Sequence, residues 1–94
     1  MISIEEIKNG IIEAAEDNET EVVFLDGFDG GLIGFQELCG EVHAVYDEDK
    51  MLSFWALINN CSMEEAIEWY EFNTLRSLPY IDEKTRPIII HNLS

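Results

Sequence analysis

The chain has 94 residues, 47% of them hydrophobic, and its 20 acidic residues against five basic ones give a formal charge of −15. A chain of this length is expected to form one domain, residues 1–94, with a modest core, and its apolar content is too high for a disordered acidic tail. The charge argues against direct binding to nucleic acid or to an anionic membrane, because both are themselves negatively charged.

Residues 3–17 are predicted to form the first helix, which begins at a capping box of Ser3 and Glu6 and ends near Asn18. The next segment, residues 21–25, is β-branched and aromatic and predicts a short strand.

A glycine-rich loop follows over residues 26–31, where three of six residues are glycine. Residues 32–35 begin a second predicted strand, with a short helix over 32–37 as the alternative. A third strand is predicted over 41–46, after a turn at Cys39 and Gly40. Its alternation of residue types indicates one buried face.

The second helix is predicted over residues 48–60, with Asp47 as its cap. It is apolar on nearly every side, which is typical of a helix that is buried or covered by a partner. Residues 87–90 are predicted to form the last strand. The resulting order, α-β-β-β-α-α-β, predicts an α+β fold: a small, mostly antiparallel sheet with helices packed on one face.

The third helix is predicted to begin at the capping box of Ser62 and Glu65, to run for about four turns and to end at a turn around Pro79. It is expected to pack against the second helix as a hairpin. Glutamates lie on its outer face, and two aromatic residues and an arginine lie beside one another on its flank.

That flank has two interpretations: a second packing face, or an exposed patch that anchors a partner, because Trp, Tyr and Arg dominate interface energetics. The acids of this helix and of the glycine-rich loop could supply charge to the same partner. The candidate partner-binding residues are Glu64, Glu68, Glu71, Asp26, Asp29, Trp69, Phe72 and Arg76.

The sequence predicts no catalytic residues, no metal site and no cofactor. Asp26 and Glu37 stand at the first and last positions of a calcium-binding loop, but Phe28 and Gly30 occupy positions where oxygen ligands belong. The histidines and cysteines lack zinc-ligand spacing, and no cysteine–histidine pair has a third, orienting group. The protein is therefore predicted not to be an enzyme.

Two cysteines are too few for a disulfide framework, and both are expected to be reduced. The first ten residues lack the basic and apolar regions of a signal peptide, and no apolar run reaches the roughly 18 residues that span a membrane. We therefore expect a soluble protein in the cytoplasm of a host cell.

The chain resembles a group of small acidic proteins from bacterial phages and mobile elements. The resemblance rests on residues 28–34 (FDGGLIG), 44–51 (AVYDEDKM), 62–80 (SMEEAIEWYEFNTLRSLPY) and 86–90 (RPIII). Within it, Phe72 stands where the group has tyrosine. The resemblance covers about residues 22–90 and implies a phage or prophage origin, without any catalytic residue. Small acidic phage proteins are similar in character to anti-CRISPR and anti-restriction inhibitors of host defence.

We therefore expect a non-enzymatic accessory protein that binds a basic surface of a host protein, such as a nucleic-acid-handling or defence complex. Duplex DNA carries one negative charge per about 1.7 Å of its axis, and carboxylates on a rigid scaffold can imitate that field. The alternative is a structural module that forms a homodimer through its apolar second helix. A small enzyme or metal-binding protein that uses the acidic loop is a third hypothesis.

Overall fold

The computed structural model of the protein describes residues 3–25 and 27–91. Its fold is α+β, as predicted. The helices and strands are α1 (Ile4–Asp17), β1 (Leu32–Leu38), β2 (Glu41–Asp47), α2 (Glu48–Ile58), α3 (Met63–Trp69) and β3 (Ile88–Ile90). A 3-10 turn (Asp29–Gly31) precedes β1, and a π-helical segment (Tyr70–Leu75) and a second 3-10 turn (Leu78–Tyr80) follow α3.

The sheet has β2 at its centre, antiparallel to β1 and parallel to β3. Cys39 and Gly40 form the predicted turn of the β1–β2 hairpin, and both have positive φ, 53° and 81°. The strand prediction for β1 is confirmed, and the alternative of a short helix there is wrong. The parallel pair forms because the chain reaches β3 only after the α2–α3 crossover.

The strand predicted over residues 21–25 does not form. This segment has no partner in the sheet, and the Leu25 amide instead donates a hydrogen bond to the Tyr46 hydroxyl at 2.8 Å. Val22 and Phe24 pack partly buried against the core. The apolar residues that suggested a strand therefore cover the core from an irregular segment, whose β propensity was outweighed by tertiary packing.

Strand β2 is buried on both faces, which corrects the prediction of one buried face. Val42, Ala44 and Tyr46 point into the core, while His43 and Val45, on the opposite face, are also buried. His43 donates its Nδ1 hydrogen to the Arg86 carbonyl at 2.9 Å, because that carbonyl can only accept.

All three helices begin at their predicted caps. Side-chain oxygens of Ser3, Asp47 and Ser62 each accept a hydrogen bond from the backbone amide three residues later. At Ser62 the capping box is complete, since the Glu65 carboxylate accepts from the Ser62 amide.

The ends of the last two helices differ from the prediction. Helix α2 ends at Ile58, two residues early, because Asn60 adopts a positive φ of 51°. The third helix is α-helical only to Trp69 and then widens into the π-helical segment. Helical periodicity in a sequence does not separate α from π geometry, which differ by one hydrogen-bond register.

The 3-10 turn packs directly against α2, and this contact requires glycine. A Cβ atom added to Gly31 would lie 2.7 Å from the backbone N and Cα of Met51. One at Gly30 would lie 2.2 Å from the Phe54 ring. The glycines of this loop therefore serve packing: because they have no side chains, the backbone of the 3-10 turn can approach the backbone of α2 closely.

Replacing Gly31 with alanine is expected to destabilise the fold by about 2–3 kcal/mol, because backbone atoms of α2 have to move. Gly10→Ala is the matched control: its added Cβ meets no atom within 4 Å, so in α1 it is expected to stabilise by about 0.5–1 kcal/mol. Urea denaturation of the two variants measures both effects. Equal, small effects would contradict the close approach of the turn to α2.

The two most deeply buried tyrosines are expected to respond oppositely to loss of their hydroxyl groups. Tyr46→Phe leaves the Leu25 amide without its partner and is expected to cost about 1–3 kcal/mol. Burial raises the pKa of Tyr70, and the nearby Glu48 carboxylate adds to this by its charge and by a weak hydrogen bond. The hydroxyl nevertheless has no partner at full hydrogen-bond geometry within the described residues. Tyr70→Phe is therefore expected to leave stability unchanged or to raise it by up to about 1 kcal/mol. Thermal unfolding of both variants makes the comparison, and a larger loss at Tyr70 would refute it.

Candidate partner-binding surface

A groove with a volume of about 420 Å³ lies on the surface between α2 and α3. We call it the hairpin groove. It is lined by Trp55, Asn59, Cys61, Glu65, Glu68, Trp69, Phe72 and Asn73. Three of the sequence-predicted residues, Glu68, Trp69 and Phe72, are thus brought together here.

The floor of the groove is aromatic. The Trp55 and Trp69 rings stack with their centroids 4.9 Å apart and their planes at 27°. From the core side, the Phe28 ring lies 5.9 Å from Trp69 and also 5.9 Å from Tyr70. Trp69 nevertheless keeps 39% of its surface exposed. Part of the Trp69 side chain packs against the core and part faces solvent, so both interpretations of the flank apply to this residue.

Phe72 and Arg76 form an exposed pair. The Arg76 guanidinium carbon lies 4.4 Å from the centroid of the Phe72 ring, which is a cation–π contact. Phe72 is 64% exposed, so its interpretation as part of a second packing face is wrong. Arg76 thus packs on an aromatic ring that stays exposed to solvent. Exposed aromatic residues of this kind are typical anchors at protein interfaces.

The π-helical segment determines where the Phe72 ring lies relative to Trp69. A π-helical turn holds more residues than an α-helical turn, so the side chains after Tyr70 depart from the positions that α periodicity predicts. The Asn73 side-chain amide donates to the Trp69 carbonyl at 3.0 Å and satisfies it at this change of geometry. Segments of this kind often occur at functional sites.

The glutamates of the third helix and its π-helical extension divide into two places. Glu65 and Glu68 line the groove, whereas Glu64 and Glu71 are exposed residues of the same helical run outside its lining. Within residues 3–25 and 27–91, the Glu64, Glu68 and Glu71 carboxylates make no hydrogen bond and no ion pair. Their charge is therefore free for a partner.

Asp29 of the glycine-rich loop does not join this surface. Asp29 pairs with Lys8 at 3.3 Å and lines a separate depression together with Ile4 and Phe54. The prediction for Asp26 lies outside the described residues. Asp29 belongs to the contact between α1 and the 3-10 turn, so its charge is partly neutralised.

Most of the basic side chains make contacts with other residues of the same chain. Lys8 binds Asp29 and lies over the Phe24 ring, and Arg76 lies on Phe72. The Arg86 guanidinium donates to the carbonyls of Pro79 and Ile81. These cations hold loops and rings in place, and the unpaired carboxylates of α3 stay uncompensated.

Cys39, Cys61 and His43 are the residues that could act as nucleophiles or bases. Cys39 and Cys61 are free thiols, and partial burial, followed by the nearby Glu65 carboxylate, raises the pKa of Cys61 above its ordinary value. A raised pKa leaves less of the reactive thiolate. His43 is buried and bonded to the Arg86 carbonyl. In the part of the chain that the structure describes, no group of three or more His, Cys, Asp or Glu residues could hold a metal ion.

The sequence prediction missed five lining residues: Trp55, Asn59, Cys61, Glu65 and Asn73. Trp55 belongs to the second helix, which was predicted to be apolar on nearly every side. The signal that could have linked Trp55 to Trp69 is the short connection between the two helices, which brings their facing sides together.

Comparison with protein-family models, with curated proteins and with solved structures finds no match for this chain. Across the described residues, no helix is both long enough and apolar enough to cross a bilayer.

The unpaired acids imply that the thermal stability of the protein depends on salt concentration. Raising NaCl from about 0.01 M to about 0.5 M is expected to raise the Tm, because salt screens the repulsion within a chain of charge −15. A variant with Gln at positions 64, 68 and 71 has a charge of −12 and is expected to show a higher Tm at low salt and a smaller salt effect. Thermal unfolding in NaCl and KCl measures this, with KCl as the control for specific ion binding. A Tm that falls with salt in both proteins would contradict it.

Proposed function

We propose that this chain is a non-enzymatic, phage-type accessory protein that binds a basic surface of a host protein. The partner we favour is a nucleic-acid-handling or defence complex, which the protein would inhibit in the manner of an anti-CRISPR or anti-restriction protein. Such a partner has a basic channel for its own nucleic acid, and an acidic protein that occupies the channel acts as a DNA mimic.

The observation that carries this proposal is the combination of unpaired carboxylates and exposed aromatic rings on α3 and its π-helical extension. Within the described residues, Glu64, Glu68 and Glu71 form no ion pair, and Phe72 and Trp69 lie exposed on the same helical run. Carboxylates steer a basic partner and accelerate its association, while aromatic residues supply most of the binding energy once water is excluded. A surface that served only solubility would not need the rings.

The test is a pull-down from bacterial lysate at about 0.05 M and about 0.5 M salt, with mass spectrometry of the retained proteins. We expect basic nucleic-acid-handling or defence proteins to be retained at low salt and released at high salt. Replacing Glu64, Glu68 and Glu71 with lysine is expected to abolish retention, because it reverses the charge beside the anchor.

The matched control replaces three exposed acids of α1, Glu13, Glu16 and Asp17, with lysine. Both triple variants change the net charge from −15 to −9. If the α3 variant kept the same partners as the wild type, the proposal would be wrong. Equal loss in both variants would show that only the total charge matters and would remove α3 from the account.

A second candidate function is homodimer formation through the apolar side of α2. Leu57 is 79% exposed, and Ile58 and Met63 are also exposed nearby. These side chains flank a second depression, lined in part by Ala56 and Leu57, on the hairpin. Light scattering decides between the candidates: a dimer that becomes monomeric on Leu57→Asp supports assembly, and a monomer at all concentrations excludes it.

A further inference from the structure

We propose that the hairpin groove binds an arginine side chain of the basic partner, with its guanidinium on the aromatic floor and its N–H groups directed at the carboxylates of the rim. This inference rests on the proposed function and specifies which chemical group the surface recognises. It follows from three features of the groove: its rings, its hydrogen-bonding atoms and its charge.

The rings provide a surface on which a guanidinium stacks. Trp55, Trp69 and Phe72 contribute to the lining, and Trp69 and Phe72 are exposed. A planar guanidinium binds to aromatic faces, most strongly to tryptophan. The protein already makes this contact once, because the Arg76 guanidinium lies 4.4 Å from the centroid of Phe72.

The hydrogen-bonding atoms of the groove are arranged as acceptors. The side-chain amides of Asn59 and Asn73 donate to the carbonyls of Trp55 and Trp69, at 2.9 and 3.0 Å. These bonds use one N–H of each Nδ2 group, and both Oδ1 atoms remain as acceptors within the described residues. A guanidinium carries five N–H donors and no acceptor, so it complements such a lining.

The charge of the groove is negative. Glu65 and Glu68 are three residues apart on α3 and therefore lie on the same side of the helix. The capping box with Ser62 holds Glu65 in place, at 3.2 Å from the serine hydroxyl, while Glu68 is unpaired. Among the described residues, no basic side chain lines the groove, although Arg76 lies over the neighbouring Phe72 ring. Charge complementarity thus selects a cation, and the flat floor selects arginine over the point charge of lysine.

Tryptophan fluorescence reports directly on this groove, because the protein has two tryptophans and both line it. The probe is a short capped peptide of alternating arginine and glycine, titrated at low salt into the full chain. Peptides of equal length with lysine or glutamate in place of arginine serve as comparisons. The arginine peptide is expected to change the fluorescence saturably and to bind several-fold more tightly than the lysine peptide.

Two variants locate the binding site. Glu68→Gln is expected to weaken arginine-peptide binding about five-fold, since it removes a charge-assisted hydrogen bond. Glu16→Gln is the matched control, because it makes the same change at an exposed glutamate of α1 outside the lining and is expected to weaken binding less than two-fold. Phe72→Leu keeps an apolar side chain but removes the ring, and is expected to weaken binding about three-fold.

The outcomes separate this inference from the proposed function. Equal binding of the arginine and lysine peptides, or equal effects of Glu68→Gln and Glu16→Gln, would overturn the arginine groove and leave charge-led binding standing. Failure of both basic peptides to bind at low salt would overturn both proposals. The arginine groove is supported if the arginine peptide binds more tightly than the lysine peptide and if only the substitutions at Glu68 and Phe72 weaken that binding.

Discussion

The arrangement of this molecule depends on how closely the segment from Phe28 to Gly31 packs against the helical hairpin. Gly31 lets the chain approach the backbone of Met51 in α2, and Phe28, three residues earlier, is buried against Trp69 and Tyr70 of the next helix. One short segment therefore contacts both helices at once. It joins the sheet, which begins at Leu32, to the hairpin, and it supports the tryptophan pair from below. Without this contact the floor of the hairpin groove would lack its backing.

Charge and packing are separated in this fold. The core is built from apolar side chains and tyrosines, while the cations are largely engaged in local contacts, as in the bonds of Arg86 to the carbonyls of Pro79 and Ile81. Carboxylates without partners remain on α3, beside rings that are only partly covered. Part of the free energy of self-repulsion therefore arises on the same face that presents an anchor. A basic partner would neutralise these carboxylates and bury the aromatic rings in the same binding event.

The sequence predicted those parts of the structure that depend on local chemistry. The caps at Asp47 and Ser62, the Cys39–Gly40 turn and the strand β2 all follow from short-range patterns, and each forms as expected. The missing strand at residues 21–25 and the burial of both faces of β2 depend on which segments meet in space, and composition does not encode that. The π-helical segment and the pairing of Trp55 with Trp69 depend on hydrogen-bond register and helix packing. For the same reason, Phe72 and Glu68 could be named from the sequence, but the groove between them could not.

The most direct test of the account is a map of the bound surface by two-dimensional NMR of the uniformly ¹⁵N-labelled protein during titration with the arginine–glycine peptide. We expect the largest shift changes at the indole N–H groups of Trp55 and Trp69 and at the side-chain amides of Asn59 and Asn73, with small changes along α1. Shift changes spread evenly over the acidic residues of α1, α2 and α3, with both indole signals unmoved, would contradict it and would reduce the acidic surface to a diffuse charge.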